Sequence, residues 1–283
     1  MGNAIYTIKR ATRREMDIAI DWAAEEGWNP GLQDGDCYYA ADPQGFFIGF
    51  LGADPVATIS AVRYSNSFGF LGFYIVKPEY RGQGYGLQIW NKGIQYLKGC
   101  NIGLDGVVTQ QDNYKKSGFK LAFRNIRYEG PGGGEPSSHA DIMDMSSIPN
   151  EIIFEYDRPF FPADRSRFIK AWINQPQSTA LGIMQGGKLA GYGVIRPCRS
   201  GHKIGPLFAD SPKLAESLFL SLKSTTAPSE PIFLDIPEVN HTGEALAKRH
   251  NMDAMFETAR MYTRPEPDMP FSRLFGITSF EIG

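Results

Sequence analysis

Cysteine is scarce in this chain: Cys37, Cys100 and Cys198 are the only three in 283 residues. They are odd in number, far apart and never spaced as Cys-x-x-Cys, which argues against a disulfide framework and against a zinc site. Reduced thiols fit a cytoplasmic protein. Histidine is absent from residues 1–130, since the four in the chain are His139, His202, His241 and His250. The commonest general base is therefore missing from that half. An excess of one charge is missing too. The formal net charge is -2, with both signs spread evenly, so no polybasic footprint points to nucleic acid. No apolar run approaches the ~18 residues of a membrane helix. The opening Met1-Gly2-Asn3-Ala4-Ile5-Tyr6 lacks the apolar core of a secretory leader.

What is present is an ordinary globular balance, 42% hydrophobic and 21% charged, in a length that suits two domains. The first half alternates strand and helix. Residues 5–9 read as a strand. Residues 13–25 read as a helix, with Met16, Ile20 and Ala23 on one stripe, Thr12 as N-cap and Gly27 as the stop. Residues 46–51, 56–64 and 68–76 predict a three-stranded antiparallel meander. A glycine-rich stretch, a helix to Gly99, a buried strand over 102–108, a short helix over 111–117 and a strand over 119–128 follow. The run Gly130-Pro131-Gly132-Gly133-Gly134-Glu135-Pro136-Ser137-Ser138 has the composition of a flexible linker. It divides the chain into domains at 1–130 and 151–283, with a linker over 131–150.

The strongest chemical signal is Val76-Lys77-Pro78-Glu79-Tyr80-Arg81-Gly82-Gln83-Gly84-Tyr85-Gly86, where a strand runs through glycines into a helix. Backbone N–H groups converge where side chains are absent, and the helix N-terminus adds its positive dipole. Arg81 adds a full charge shaped for phosphate oxygens. A pyrophosphate suits such a nest; a tight strand-to-helix turn is the plainer reading. No Lys-Ser/Thr follows the glycines, which excludes a Walker A loop. A dinucleotide fingerprint would not normally follow an antiparallel meander.

These residues carry a resemblance. Arg81-x-x-Gly84-x-Gly86, preceded by Val76-x-Pro78, resembles the acetyl-CoA motif of the GNAT N-acetyltransferase superfamily. Tyr114-Lys115-Lys116-Ser117-Gly118-Phe119 resembles that family's Tyr-x-x-x-Gly-Phe. The resemblance covers residues ~4–128. It implies an α+β GNAT fold, with a mixed, mostly antiparallel sheet flanked by helices. It also implies acetyl-CoA as cosubstrate, bound by the splayed backbone of Tyr74, Ile75 and Val76 and by the loop Arg81, Gly82, Gln83, Gly84, Tyr85 and Gly86. Tyr114 matches the family's general acid; the plainer reading is a core tyrosine in a short helix. The base is open among Glu26, Asp34, Asp36, Glu79 and Asp105. Asp105 stands out because it interrupts a buried-looking strand. In such folds residues 26–34 form the acceptor wall, here with Trp28, Asn29 and Asp34; a packed surface loop is the alternative.

The second half repeats the order of elements more faintly: a hairpin over 179–196, a strand over 204–208, a helix over 212–224 capped by Ser211, a strand over 232–236, a helix over 242–250, and a last strand over 255–262. In place of the glycine loop stands Ala209-Asp210-Ser211-Pro212, and in place of the tyrosine motif Ala247-Lys248-Arg249-His250-Asn251-Met252. This half resembles the degenerate C-terminal domain of tandem GNAT proteins. Arg196, Arg199, His202 and Lys203 read as a solvated hairpin edge or, alternatively, an anion site. The expected activity is acetyl transfer to a primary amine of a small molecule or amino acid. The alternatives are a regulatory protein that binds ligand without turnover, and a protein-lysine acetyltransferase.

Overall fold

Thr12 opens the first helix through a capping box: its hydroxyl oxygen accepts from the Glu15 N–H, and the Glu15 carboxylate accepts from the Thr12 N–H. Met16, Ala19, Ile20 and Ala23 then bury one face. From this start the computed structural model describes residues 5–283; residues 1–4 lie outside the described part. The first half runs β1 (Tyr6–Arg10), α1 (Arg13–Glu25), α2 (Asp34–Ala41), β2 (Phe46–Leu51), β3 (Asp54–Arg63), β4 (Phe68–Val76), α3 (Tyr85–Tyr96), β5 (Asn101–Val107), α4 (Gln111–Lys116) and β6 (Lys120–Pro131). The second runs β7 (Ile142–Asp144), α5 (Asn150–Asp157), α6 (Ser166–Trp172), β8 (Thr179–Gln185), β9 (Lys188–Pro197), β10 (His202–Ala209), α7 (Pro212–Lys223), β11 (Pro231–Pro237), α8 (His241–Arg249), β12 (Asp253–Tyr262) and β13 (Leu274–Gly276). The expected meander is present. Helices α2, α5 and α6 were not legible from periodicity. Among the described residues no helix is long and apolar enough to cross a membrane.

The described strands join one thirteen-stranded sheet in the order β1-β2-β3-β4-β5-β12-β6-β11-β10-β9-β8-β7, with β13 against β10. Each half contains one parallel pair, β4 with β5 and β10 with β11, among antiparallel neighbours. The halves also exchange strands. Strand β12 of the second half inserts between β5 and β6, while β6 pairs with β11. Segments 1–130 and 151–283 are therefore not each a closed sheet. Ala259 and Met261 of β12 pack in one core with Ile89 and Trp90 of α3, and Tyr128 of β6 packs with Leu218 and Leu234.

Two cross-strand ion pairs hold the exchange. Arg260 of β12 sits opposite Asp105 of β5 and donates through Nε to Oδ1 at 2.9 Å and Nη2 to Oδ2 at 2.6 Å. Arg127 of β6 sits opposite Asp235 of β11 and donates in the same two-pronged way at 2.7 and 2.8 Å. All four side chains are buried. The expected linker is packed at its start: Gly132 and Gly133 are buried, and their N–H groups donate to the carbonyls of Glu230 and Lys223. The basic cluster of the second half is only partly a solvated edge: Arg199 is exposed and His202 half-buried. Arg196 and Lys203 are buried, and Arg199 pairs with Asp21 across the halves.

A fragment ending at Pro131 leaves Asp105 without Arg260 and β5 without its β12 neighbour. It should show no cooperative thermal transition by circular dichroism, and coexpression with residues 132–283 should restore one. A sharp transition for the first fragment alone overturns the view that the halves depend on exchange.

Candidate functional site

The parallel pairing of β4 with β5 stops at Leu71 and Leu104. Opposite β3 the register then shifts: Ser60 faces Gly72 but Thr58 faces Ile75. The extra residue is absorbed where Phe73 adopts a positive φ of 46°, a bulge that turns the strand's backbone away from its neighbour. A cavity of about 590 Å³ opens in the split, with residues 72–76 on one side and 104–107 on the other.

One end of the cavity is the glycine loop. Gly82 and Gly84 have φ of 76° and 86°, and a Cβ at either would meet nothing within 4 Å. The constraint there is backbone conformation rather than space. Gly84 is the N-cap of α3 and supplies no side-chain cap, so the first N–H groups of that helix are open to a ligand. Arg81 donates through Nε to the Val76 carbonyl at 2.9 Å and pairs with Glu26. Gly86 has a different task from its neighbours. A Cβ there would lie 2.8 Å from the Tyr74 hydroxyl and 3.0 Å from Val76 Cγ2, so it lets α3 press onto β4. The side chains of Gln83 and Tyr85 turn elsewhere, to the Glu79 carbonyl and to the Tyr6 ring.

Tyr114 also lines the cavity. Its ring stacks on Trp90 at 5.6 Å and lies over Gly106, where a Cβ would come within 2.3 Å of it. Burial pushes its hydroxyl up to about 12, with Tyr74 adding to the effect. Asp105 also lines the cavity, but its oxygens are taken: besides Arg260, Asn125 Nδ2 donates to Oδ1 at 2.8 Å. Burial pushes this carboxyl above its ordinary value while Arg260 opposes the shift. Asp235 occupies the matching place in the half that has no glycine loop. The position is thus tied to the strand exchange.

The other end is built by both halves. Trp28 lines it, its carbonyl accepting from Arg127 Nη1 at 2.8 Å and Lys203 Nζ at 3.4 Å. The remaining acceptor-wall residues face away from it. Asn29 exchanges two hydrogen bonds with the Ser200 backbone. Asp34 is fully buried, accepting from Arg196 Nε at 2.8 Å and the Gly31 N–H at 2.9 Å. Their polar groups are satisfied by the seam between the halves. In their place stand Thr258 and Phe256 of β12 and Phe280 and Glu281 beyond β13. No periodicity or motif marks these four, because only the strand exchange brings them here.

The second half has the same split, and it is closed. The pairing of β10 with β11 stops at Ile204 and Leu234. Beyond it β13 pairs with β10, and the Ile277 N–H donates to the Asp235 carbonyl at 2.9 Å. A Cβ on Gly276 would lie 2.6 Å from Leu234 Cδ1, so the wedge fills the gap. Helix α7 is closed as well: Ser211 accepts from the Leu214 N–H, and Pro212 needs no acceptor.

Asp105→Ala strands the Arg260 charge in the core. It should cost about 3–5 kcal/mol in urea denaturation, and replacing Arg260 as well should recover part of that loss. A loss under about 1 kcal/mol would separate the ion pair from the stability of the exchange.

The comparisons with known proteins agree with this geometry. Residues 6–119 match a model described as the acetyltransferase (GNAT) family, and residues 153–276 one described as an acetyltransferase (GNAT) domain. Over 278 residues the chain is 27% identical to a protein named holothin acyltransferase from Pseudoalteromonas sp. (strain SANK 73390), covering 98% of this chain and 95% of that one. In structure it is similar to a candidate acetyltransferase from Pyrococcus horikoshii, with TM-score 0.82, 24% identity and coverage of 98% and 96%. It is also similar to a tandem GNAT protein from the clavulanic acid biosynthesis pathway, with TM-score 0.63, 10% identity and coverage of 93% and 100%. Two GNAT-type halves in one continuous sheet, one split open beside a glycine loop and the other wedged shut, mark this chain as a tandem member of the GNAT acyltransferase superfamily.

Proposed function

We propose that this protein transfers the acetyl group of acetyl-CoA to the primary amine of a small molecule or amino acid, at one site in its first half. The observation that carries this reading is the contrast between the two splits. The open one has walls whose strands stop pairing with each other at Leu71 and Leu104, and a helix start without a side-chain cap beside it. Those features suit a ligand that is anionic at one end and extended at the other. In this reading the loop from Arg81 to Gly86 takes the pyrophosphate, and the backbone of Tyr74, Ile75 and Val76 takes the pantetheine arm. Acetyl-CoA supplies the acyl group as a thioester. The acceptor end is walled by Trp28, Phe256 and Phe280, which favours a small acceptor over a peptide laid along an open groove. The relative named for holothin supports a small molecule too, and holothin belongs in the first panel of acceptors.

In this reading Tyr114 stabilises the leaving sulfur. At about 12 its hydroxyl stays protonated across the neutral range. It is a weak acid beside a thiolate whose conjugate acid ordinarily sits near ~8.5. Hydrogen bonding to the developing charge therefore contributes more than full transfer, which places the benefit below the usual 10²–10⁴.

Arg81→Ala should weaken CoA binding about tenfold, the lower end for a charge-assisted hydrogen bond, because the side chain is half exposed and already pairs with Glu26. Gly84→Val should do at least as much, since a β-branched residue resists a φ of 86°. Calorimetry should also give one CoA per chain. Two sites, or unchanged affinity in both variants, would end the assignment of the loop.

Tyr114→Phe should lower turnover about tenfold and leave CoA affinity within about twofold. The wild type should keep its rate well past pH 10, since the hydroxyl ionises only near 12. Full activity in the Phe variant removes Tyr114 from the mechanism.

A further inference from the structure

Three carboxylates line the cavity: Glu26, Asp105 and Glu281. Glu26 is paired with Arg81, and Asp105 is saturated by Arg260 and Asn125. Glu281 differs. It is 2% exposed, and its Oε2 accepts from Ser279 Oγ at 2.7 Å and lies 3.0 Å from the Tyr38 hydroxyl. Its Oε1 has no hydrogen-bond partner among the described residues. An orphaned carboxylate oxygen in a buried place is costly. Arg127 and Lys203 attract its charge but donate no hydrogen bond to Oε1. Arg127 is given to Asp235 and the Trp28 carbonyl, and Lys203 to the carbonyls of Trp28 and Asn29.

The backbone places this residue at the split itself. The segment beyond β13 crosses β4 so closely that a Cβ on Gly72 would lie 1.9 Å from the Glu281 carbonyl oxygen. Ser60 Oγ donates to that same oxygen at 3.3 Å. Gly72 immediately precedes the bulge at Phe73. Glu281 is thus anchored by its main chain at the point where β4 leaves β5, and by Oε2 to Ser279 and Tyr38.

We propose that Glu281 Oε1 receives the amine of the acceptor, a role that rests on the acyl-transfer reading above. The carboxylate accepts a hydrogen bond from the incoming neutral amine and balances the positive charge that builds on its nitrogen during attack. As the neutral amine nitrogen attacks the thioester carbonyl carbon, the C–N bond forms and the nitrogen's proton passes to Oε1. The C–S bond breaks and its electron pair leaves with sulfur as a thiolate that accepts a hydrogen bond from the Tyr114 hydroxyl. Exchange with solvent then takes the proton from Glu281 and delivers one to the thiolate, leaving an amide and a thiol. The acceptor class is a small amine carrying an apolar body, because Trp28, Phe256 and Phe280 form the rest of that wall.

The test uses the full chain and needs no turnover. S-(2-propylaminoethyl)-CoA places an ammonium where the acceptor nitrogen would lie, and S-hexyl-CoA is its neutral isostere. Affinities for both, and for CoA itself, are measured by calorimetry on the wild type and on Glu281→Gln. The wild type should bind the ammonium adduct at least as tightly as the hexyl one, since a desolvated ammonium without a carboxylate partner would lose affinity. In Glu281→Gln the ratio of the two affinities should fall by at least about tenfold, with CoA affinity unchanged. Glu281→Asp, which withdraws the carboxylate by one carbon while keeping its charge, should lower the ratio by a smaller factor and guards against a misfolded Gln variant. A wild type that prefers the hexyl adduct, or a ratio unmoved by both substitutions, overturns the role of Glu281 while leaving CoA binding intact. A wild type that binds no CoA overturns the acyl-transfer reading and this one with it.

Discussion

Two buried arginine–aspartate pairs, Arg260 with Asp105 and Arg127 with Asp235, are the constraint around which the molecule is organised. In each the arginine rides on the strand that one half lends, and the aspartate waits on the strand that receives it. A buried charge is tolerated only opposite its partner. The pairs therefore specify which strands sit together, and a register slip would strand four charges in the core. Once β12 and β6 are committed this way, the two halves share one sheet, and residues near the end of the described chain reach the cavity of the first half.

That shared sheet gives the two splits different fates. Both follow from the same local event, a short parallel pair whose strands part after three or four residues. In the second half the chain turns back as β13 and fills its own gap. In the first half the gap stays open because residues 277–283 pass across β4 at Gly72 rather than along it. One continuous segment thus closes one cleft and borders the other.

The seam between the halves has an apolar core, with Tyr38 stacked on Phe168 and Trp172, and it also holds buried charges that carry structural loads. Lys203, whose ammonium burial holds below its ordinary value, and Arg127 fix the Trp28 carbonyl. Arg196 fixes Asp34. These contacts determine where the indole stands. Against that background an incompletely paired carboxylate is conspicuous, and Glu281 is where the proposed chemistry of the acceptor end converges.

The sequence by itself determined much of the local structure and one end of the site. The capping residues Thr12 and Ser211, the three-stranded meander and the glycine loop are set by interactions within a few residues, so they are legible along the chain. The tertiary structure alone decided the rest. Burial of Asp105 was foreseeable from its strand, but its partner Arg260 lies 155 residues away. Asn29 and Asp34 look like a polar wall in sequence and turn into the seam because Ser200 and Arg196 satisfy them there. Phe256, Phe280 and Glu281 carry no local signal at all. They belong to the first half's cavity only because β12 crosses over, a pairing chosen by long-range ion pairs and sheet register that no window of neighbouring residues contains.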